Sequence, residues 1–400
     1  MKSFPLTLIR QFPVGPGGAE RYLDLLVRGL VSHGFKVTLV CADCPPHPFD
    51  IPDAKVDIVR LDAPHISKHR MVRPWLFPWM VQRWLTRYPQ KFVFSLERHW
   101  KQDLLRSGDG IHAEWLLRRA PMVGPIQNFF TQWNLFHRSM VWSESRAYDP
   151  TRTLRVMANS HFVKDQIVRR YHFPESRIEV VHNGVDLQQW RSGSDKSLRT
   201  KLGLDEKALL AFFPGSGWER KGLAEAVRYV TAWSEQTGRP ARLAVAGKGH
   251  RGQYKSPLVE WLGVLRRSEM SAAYRGSDIT ILPTRYDPFA NVTLESLASG
   301  TPVLTTKDNG AYEILEDGVD GAVMRDRMDA RAAAEQISHL LSRTSEQVQA
   351  ACRRKAEAYG MEDHIEKVIA LCLSVAEIKA QMGDTPPLPS DFSVPTRDAT

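Results

Sequence analysis

The chain has 400 residues, 42% hydrophobic and 25% charged. That composition is globular and soluble, and the length exceeds one ordinary core, so two domains are expected. No run of about 18 apolar residues occurs, which excludes a membrane-spanning helix, and four cysteines are too few for a disulfide framework. The net charge of +9 is uneven: residues 1–190 hold 26 Lys/Arg against 17 Asp/Glu, and residues 191–400 hold 28 against 28. Eight of the eleven tryptophans also lie in the first half. One half is therefore expected to meet an anionic surface or polymer, and the other to handle small molecules.

The opening residues, M-K-S-F-P-L-T-L-I-R-Q-F, hold too short an apolar stretch for a signal peptide. They read as a first strand, at residues 7–9, and a cytoplasmic location is expected. A turn-rich loop, P-V-G-P-G-G-A-E-R-Y, leads into a helix with Leu23, Leu26, Val27 and Leu30 on one face, which stops at Gly34. Residues 37–41 are the next strand. This is a βαβ unit in which Gly17 and Gly18 allow close backbone approach at a helix N-terminus. It is not the G-x-G-x-x-G dinucleotide fingerprint. Cys41 and Cys44 form C-x-x-C near His47 at the strand end. No second ligand pair follows at a usual spacing, so they read as packing and loop thiols rather than a metal or redox site.

Residues 65–106 are the least regular, with nine Lys/Arg against two acids and Trp75, Phe77, Trp79 and Trp84 interleaved. Such a basic aromatic insertion is expected to lie on an anionic membrane. The plainer alternative is a solvated basic face over buried aromatics, and no nucleic-acid module accompanies the segment. In R-S-G-D-G-I-H-A-E-W-L, residues 106–116, Gly108 and Gly110 bracket Asp109, and His112 and Glu114 follow. Three titratable groups in a glycine-flanked turn make a candidate polar pocket. Residues 154–160 form a strand ending at an N-cap, and residues 178–186 a strand ending in a turn. R-S-G-S-D-K-S then reads as a domain joint.

A second alternation starts with a strand at 209–213, followed by G-S-G-W-E-R-K-G and a helix. Further strands fall at 243–246, 259–263 and 279–282. Strands alternating with helices in both halves imply two doubly wound α/β domains. Their expected spans are 1–190 and 191–360, with a helix over 361–383 returning to the first domain and an aperiodic, disordered tail over 384–400. In residues 283–303, Asp287 stands eight positions before Glu295, and the apolar helical run stops at Gly300 and Pro302. A helix starting near Ala290 would turn its N–H groups toward Asp287 as a diphosphate site. Eight residues at helical rise span about 12 Å, roughly the reach from a sugar across a diphosphate to a ribose. The alternative is a surface helix with two solvated carboxylates.

Over residues 6–380 the organisation resembles a retaining GT-B glycosyltransferase of family 4. Four landmarks stand in that family's order: G-G-A-E-R (17–21), N-S-H-F with V-V-H-N-G-V-D (159–162 and 180–186), G-S-G-W-E-R-K-G (215–222) and D-P-F-A-N-V-T-L-E (287–295). The resemblance implies two Rossmann-like domains facing across a cleft, with a nucleotide-diphosphate sugar in the second domain and the acceptor in the first. Arg220 and Lys221 would meet the leaving diphosphate, together with Gly215, Ser216 and the backbone of Ala290, Asn291 and Val292. Glu295 would bind the ribose hydroxyls and Asp287 the sugar. Backbone near Val264 and Leu265 would hold the base, and Gly17 and Gly18 would close over the donor.

Within that family, Asp109 followed by Ala113-Glu114, R-K-G at 220–222 and the basic first half resemble lipopolysaccharide core glucosyltransferases that act on inner-core heptose. That likeness implies Asp109 beside the reacting carbon, with His112 and Glu114 near it. It also implies a UDP-glucose donor, a glycolipid acceptor, a peripheral place on the inner membrane, and no cofactor. Without a D-x-D triad near a strand end, no catalytic metal is expected, and no nucleic-acid partner. Two positions depart from the family pattern: Asp287 stands for Glu, and Ala290 for Gly. An exopolysaccharide or other lipid-linked acceptor remains the nearest alternative, and a non-enzymatic polyanion-binding protein the alternative of another class.

Overall fold

The computed structural model describes residues 4–12, 18–42, 49, 55–61, 73–190, 195 and 197–383. Gly17, Cys44, His47, the basic segment before residue 73 and the tail 384–400 lie outside the described residues. The chain divides into two compact units, Met1–Val181 with Ile365–Thr400, and His182–His364.

Among the described residues, the first unit is built on a parallel sheet of seven strands. They are β1 (Phe4–Ile9), β2 (Phe35–Cys41), β3 (Val56–Arg60), β4 (Val93–Ser95), β5 (Gln102–Ser107), β6 (Thr153–Ala158) and β7 (Ile178–Val180), in the order β3-β2-β1-β4-β5-β6-β7. The strand order reverses between β1 and β4. Helix α1 (Gly18–Ser32) crosses from β1 to β2. Its stripe of Leu23, Leu26, Val27 and Leu30 is fully buried, as the 3.6-residue period requires, and Gly34 takes φ 88° in the turn that follows.

Within the expected basic insertion, the described residues 73–106 belong to the sheet layer itself. Helix α2 (Arg73–Arg87) is followed by β4 and β5, two inner strands of the sheet. β4 has three residues and is buried throughout, too short for alternation to reveal it. Helices α3 (His112–Arg119), α4 (Pro125–Trp133) and α5 (Leu135–Ala147) lie between β5 and β6. Ser160 caps α6 (His161–Tyr171), its hydroxyl accepting from the Val163 amide at 3.2 Å.

The expected strand over 178–186 ends at Val180. Beyond it, the Val185 amide donates to Tyr359 O at 2.9 Å and the Met361 amide to Val185 O at 3.0 Å, so residues 182–190 pack with the second unit. Its helices are α7 (Ser197–Lys201), α8 (Trp218–Lys221), α9 (Leu223–Thr237), α10 (Arg267–Gly276), α11 (Asn291–Ala298), α12 (Ala330–Leu341) and α13 (Ser345–Glu357). Its six parallel strands are β8 (Leu209–Phe213), β9 (Ala241–Ala246), β10 (Val259–Gly263), β11 (Ile279–Leu282), β12 (Val303–Thr306) and β13 (Gly321–Met324), in the order β10-β9-β8-β11-β12-β13. Here the order reverses between β8 and β11. Helix α14 (Met361–Gln381) begins in the second unit and continues into the first. Among the described residues, no helix is long and apolar enough to cross a membrane.

Gly222 fixes how the β8 loop meets the end of β11. Its φ is 81°, and a Cβ there would collide with the carbonyl oxygen of Pro283. Gly222→Ala therefore adds left-handed strain to a backbone clash, at a cost of about 2–4 kcal/mol. Urea unfolding should show that loss, and a variant as stable as the parent would contradict the close approach.

Candidate active site

In open parallel sheets, the crevice at the carboxyl ends of the strands where the order reverses is the natural ligand site. In the second unit that point lies between β8 and β11. The chain leaves β8 through Gly215 and Gly217, with φ of 97° and 78°, and turns into α8, which carries Arg220 and Lys221. A Cβ on Gly247, at the end of β9, would lie 2.5 Å from the Gly215 carbonyl oxygen, so the two loops touch by backbone. Ser216 Oγ accepts from the Lys248 amide at 2.9 Å.

Lys221 is 8% exposed, and its Nζ donates to Pro214 O at 3.4 Å. Burial lowers its pKa; the negative charges of Asp287 and Glu295 oppose this, and Arg220 adds to it. Lys221 thus feels all three charged groups that the sequence singles out. Arg220 Nη1 donates to Tyr286 O at 2.7 Å and to Asp287 Oδ2 at 3.0 Å.

Asp287 does not continue the α11 helix. It is extended, and its backbone bridges to the segment after β12: the Asp287 amide donates to Asp308 O and the Gly310 amide to Asp287 O, each at 2.8 Å. The helix itself starts at Asn291, with Ala290 as N-cap. Glu295 Oε2 accepts from the buried Tyr274 hydroxyl at 3.1 Å, and burial together with the Glu295 charge pushes that phenol well up. Val264 and Leu265 follow β10, where Gly263 has φ 72°, and Val264 is exposed.

Two asparagines hold this turn, and neither belongs to the sequence-derived set. Asn309 is fully buried. Its Oδ1 accepts from the Ala290 and Ala311 amides at 3.0 and 3.1 Å, and its Nδ2 donates to Thr293 and Thr305 hydroxyls at 3.2 and 3.1 Å. Asn183 Nδ2 donates to Asn291 Oδ1 at 2.7 Å. The H-N-G motif, expected at the end of the first domain, therefore packs with the second unit. A polar residue just past the apolar strand β12 is the local sign that could have flagged Asn309.

The first unit gathers polar groups at its own switch point. A cavity of about 330 Å³ is lined by Gln11 after β1, Glu97 and Arg98 after β4, Asp109 after β5, and Phe136 and Ser143 of α5. Asp109 is exposed on its rim. Behind it lies Glu144, fully buried. Glu144 Oε1 accepts from Arg98 Nε at 2.8 Å and the His112 amide at 2.5 Å; its Oε2 accepts from the Ala113 amide at 3.1 Å and the Tyr171 hydroxyl at 2.8 Å. Burial would lower the Arg98 pKa, but the Glu144 charge and hydrogen bond together with Tyr148 and Asp109 outweigh it, and the guanidinium stays charged.

Arg98 Nη2 also donates to Gly110 O at 2.8 Å, and Asn159 Nδ2 to Gly108 O at 3.1 Å. The turn carrying Asp109 is thus tied down on both sides. One ring nitrogen pairs His112 with His137 at 3.0 Å. Glu114 forms an ion pair with Arg170 at 3.3 Å and links α3 to α6. Gly18 starts α1 after the switch-point strand β1. Glu144 was visible only indirectly: Ser139, Ser143 and Ala147 repeat every four residues and mark the buried face of α5.

Two doubly wound parallel units in succession define the GT-B architecture. The structure of WaaG, a glycosyltransferase involved in lipopolysaccharide biosynthesis, superposes with a TM-score of 0.69 at 18% identity, over 92% of this chain and 99% of that one. The Anabaena protein HepE, solved in complex with UDP-glucose, gives 0.63 at 15% identity over 92% and 99%. At such identities the likeness speaks for the fold alone. Residues 16–189 match the model of Glycosyltransferase Family 4, and residues 194–359 that of Glycosyl transferases group 1. The chain belongs to these glycosyltransferase families. An uncharacterised glycosyltransferase of Methanocaldococcus jannaschii is 26% identical over 180 residues, 42% of this chain and 46% of that protein. The chain thus spans about half the length of the first curated relatives it matches.

Glu144→Ala would strip the partly buried Arg98 guanidinium of its carboxylate and uncap α3, a loss of about 3 kcal/mol. Chemical unfolding should register it, and Glu144→Gln, which keeps one acceptor oxygen, should recover part. An unchanged midpoint for the alanine variant would contradict the buried pair.

His99, next to Arg98, is buried with neither ring nitrogen in a hydrogen bond, and burial lowers its pKa from 6.5 to about 3. The unfolded chain takes up a proton that the folded chain refuses, so stability held above the unfolded pKa falls as pH drops toward the folded value. Replacing His99 with Phe should flatten the dependence of unfolding free energy on pH between about 7 and 5. An unchanged slope would show the ring to be solvated.

Proposed function

We propose that the chain is a retaining hexosyltransferase that moves glucose from UDP-glucose to a membrane-associated glycolipid, with lipopolysaccharide core as the leading acceptor class. The observation that carries the donor half is the charge constellation at the β8/β11 switch point, where buried Lys221 feels Asp287, Arg220 and Glu295 together. A group that gathers a desolvated cation and two carboxylates around glycine-rich backbone suits a sugar diphosphate better than a solvated surface does.

In this reading Arg220 and Lys221, with Gly215, Ser216 and the backbone at Asn291 and Val292, meet the diphosphate; the Ala290 amide, expected there too, is taken by Asn309 at 3.0 Å. Glu295 takes both ribose hydroxyls, and Asp287 takes those of the sugar. The acceptor hydroxyl attacks on the face the diphosphate leaves. A donor phosphate oxygen takes its proton while the two cations stabilise the charge developing on the leaving group. That division of labour gives retention and needs no catalytic metal.

Asp109, fixed by Arg98 and Asn159 through the neighbouring backbone, steadies positive charge on the sugar or orients the acceptor, with His112 beside it. The basic first half keeps the enzyme peripherally on the cytoplasmic face of the inner membrane, with the segment 65–106 contributing positive charge. The family match and the likeness to WaaG support the enzyme class and the acceptor type. The UDP-glucose complex of HepE supports the donor.

A panel of nucleotide sugars tests the reading by thermal shift and by hydrolysis. UDP-glucose should raise the melting temperature most, and a panel in which no nucleotide sugar does so overturns the proposal. Lys221→Ala should lower kcat about 100-fold or more, by loss of transition-state charge stabilisation. Glu295→Ala should raise KM for the donor about 10-fold or more, the worth of hydrogen bonds to a charged group. Normal transfer by Glu295→Ala would refute the donor assignment, and loss of activity in a chelator would refute the metal-free mechanism.

A further inference from the structure

Helix α4 carries its apolar stripe on the wrong side for a core helix. Ile126, Phe129, Phe130 and Trp133 stand at i, i+3, i+4 and i+7, the spacing of one face, and their exposures are 75%, 57%, 67% and 61%. Leu117 of α3 and Leu135 of α5 add further exposed apolar surface, at 57% and 64%. Phe129 packs edge-on with Phe130 at 5.9 Å and tilted on Trp133 at 6.1 Å, so the rings form one cluster. A large contiguous apolar patch on a soluble unit marks an interaction surface.

The charge around it selects the partner. From Trp115 to Ser143 the chain has no Asp or Glu and three arginines, Arg118, Arg119 and Arg138. Two of these touch α4 itself: Arg119 Nη1 donates to Thr131 Oγ1 at 3.3 Å, and the Arg138 guanidinium lies 5.7 Å from the Trp133 ring centre. Aromatic side chains on one helix face with arginines beside them and no acid are the composition of a helix lying in an anionic bilayer interface. A second copy of the chain fits less well, because a two-fold contact would set this acid-free face and its arginines against themselves.

By contrast, α2 is partly spoken for: Phe77 is buried and Trp75 stacks on Trp142 of α5 at 4.0 Å. We infer that the face of α4 made by Ile126, Phe129, Phe130 and Trp133 inserts into the headgroup boundary of an anionic lipid bilayer, with Arg119 and Arg138 meeting lipid phosphates. The inference sharpens the membrane part of the proposed function by assigning the contact to a particular helix. It does not depend on the donor chemistry.

Flotation of the full chain tests it, with vesicles of phosphatidylglycerol and phosphatidylethanolamine against vesicles of phosphatidylcholine alone. The parent should float with the anionic vesicles and less so as salt rises. Phe130→Glu with Trp133→Glu should lower the bound fraction about tenfold or more, since two buried rings are exchanged for charges, and Ile126→Glu should give a smaller loss. Both variants alter exposed side chains and should melt with the parent. Any thermal shift given by UDP-glucose should be unchanged in them; its absence from the parent would count against the proposed function while leaving the flotation result intact.

The inference is overturned if the parent does not prefer anionic vesicles, or if the α4 variants float as the parent does. It is equally overturned if only Arg83→Glu with Arg87→Glu abolishes binding, or if the patch proves to join two copies that the double variant separates on size-exclusion chromatography.

Discussion

In the second unit, one backbone seam sets Arg220 and Lys221 beside the segment that carries Asp287. The carbonyl of Arg220 accepts from the Arg285 amide at 2.9 Å and from the Thr284 hydroxyl at 3.1 Å, while Gly222 brings its α-carbon against the Pro283 carbonyl. The two segments leaving β8 and β11 are thereby stitched together at the point where the strand order reverses. Everything beyond the seam follows from it. Arg220 lies within reach of Asp287, Lys221 is pressed under the glycine turn, and the D-P-F-A turn is aimed toward α11. Short buried strands position these groups better than long loops would, because no loop entropy has to be overcome each time a ligand binds.

The first unit solves a similar problem with a buried ion pair instead of a backbone seam. Glu144 spends both oxygens on four donors from three places in the chain: Arg98 after β4, two amides at the start of α3, and Tyr171 at the end of α6. An ion pair of this kind is weak as a source of stability, since desolvation cancels much of the attraction. What it supplies is geometry. With every lone pair assigned, the Asp109 turn and the first turn of α3 have one arrangement, and Arg98 is held at the wall of the cavity without being consumed by solvent.

Much of this was legible in the sequence, for reasons that can be stated residue by residue. Apolar strands flanked by glycine turns and helices with a 3.6-residue stripe mark the βαβ alternation, and α1 shows the stripe without ambiguity. Asp287 and Glu295 stand out by their spacing around a helix start, whereas Arg220 and Lys221 are singled out only through the family resemblance. Three-residue strands are not legible: β4 and β7 have no room for a period, so the basic segment reads as an insertion and the end of the strand that starts at residue 178 is not marked at Val180. Nor are the residues that work by being buried. Glu144 looks like any acid on a helix, and Asn309 like any turn asparagine, until the fold brings their four partners to them. Likewise α4 has an ordinary amphipathic pattern, and periodicity cannot say whether its apolar face looks inward or outward.

The two departures from the family pattern carry different weight once the local structure is known. Ala290 stands for Gly, but its φ is −71°, which any residue adopts, so no left-handed backbone requires glycine there. The residue is only 4% exposed and its amide is committed to Asn309, so the extra methyl is largely buried and costs the site little. Asp287 for Glu is another matter. The shorter carboxylate is drawn to Arg220 at 3.0 Å, and its backbone is clamped on both sides by the segment after β12. A Glu at that position could reach past the arginine toward a ligand; an Asp held in this way cannot do both without giving up the pair. In the proposed donor site, then, choice among sugars turns on whether Arg220 releases Asp287 when the diphosphate arrives. A diphosphate that draws the guanidinium to itself frees the carboxylate for the sugar hydroxyls, which would make the leaving group and the sugar read by one coupled pair.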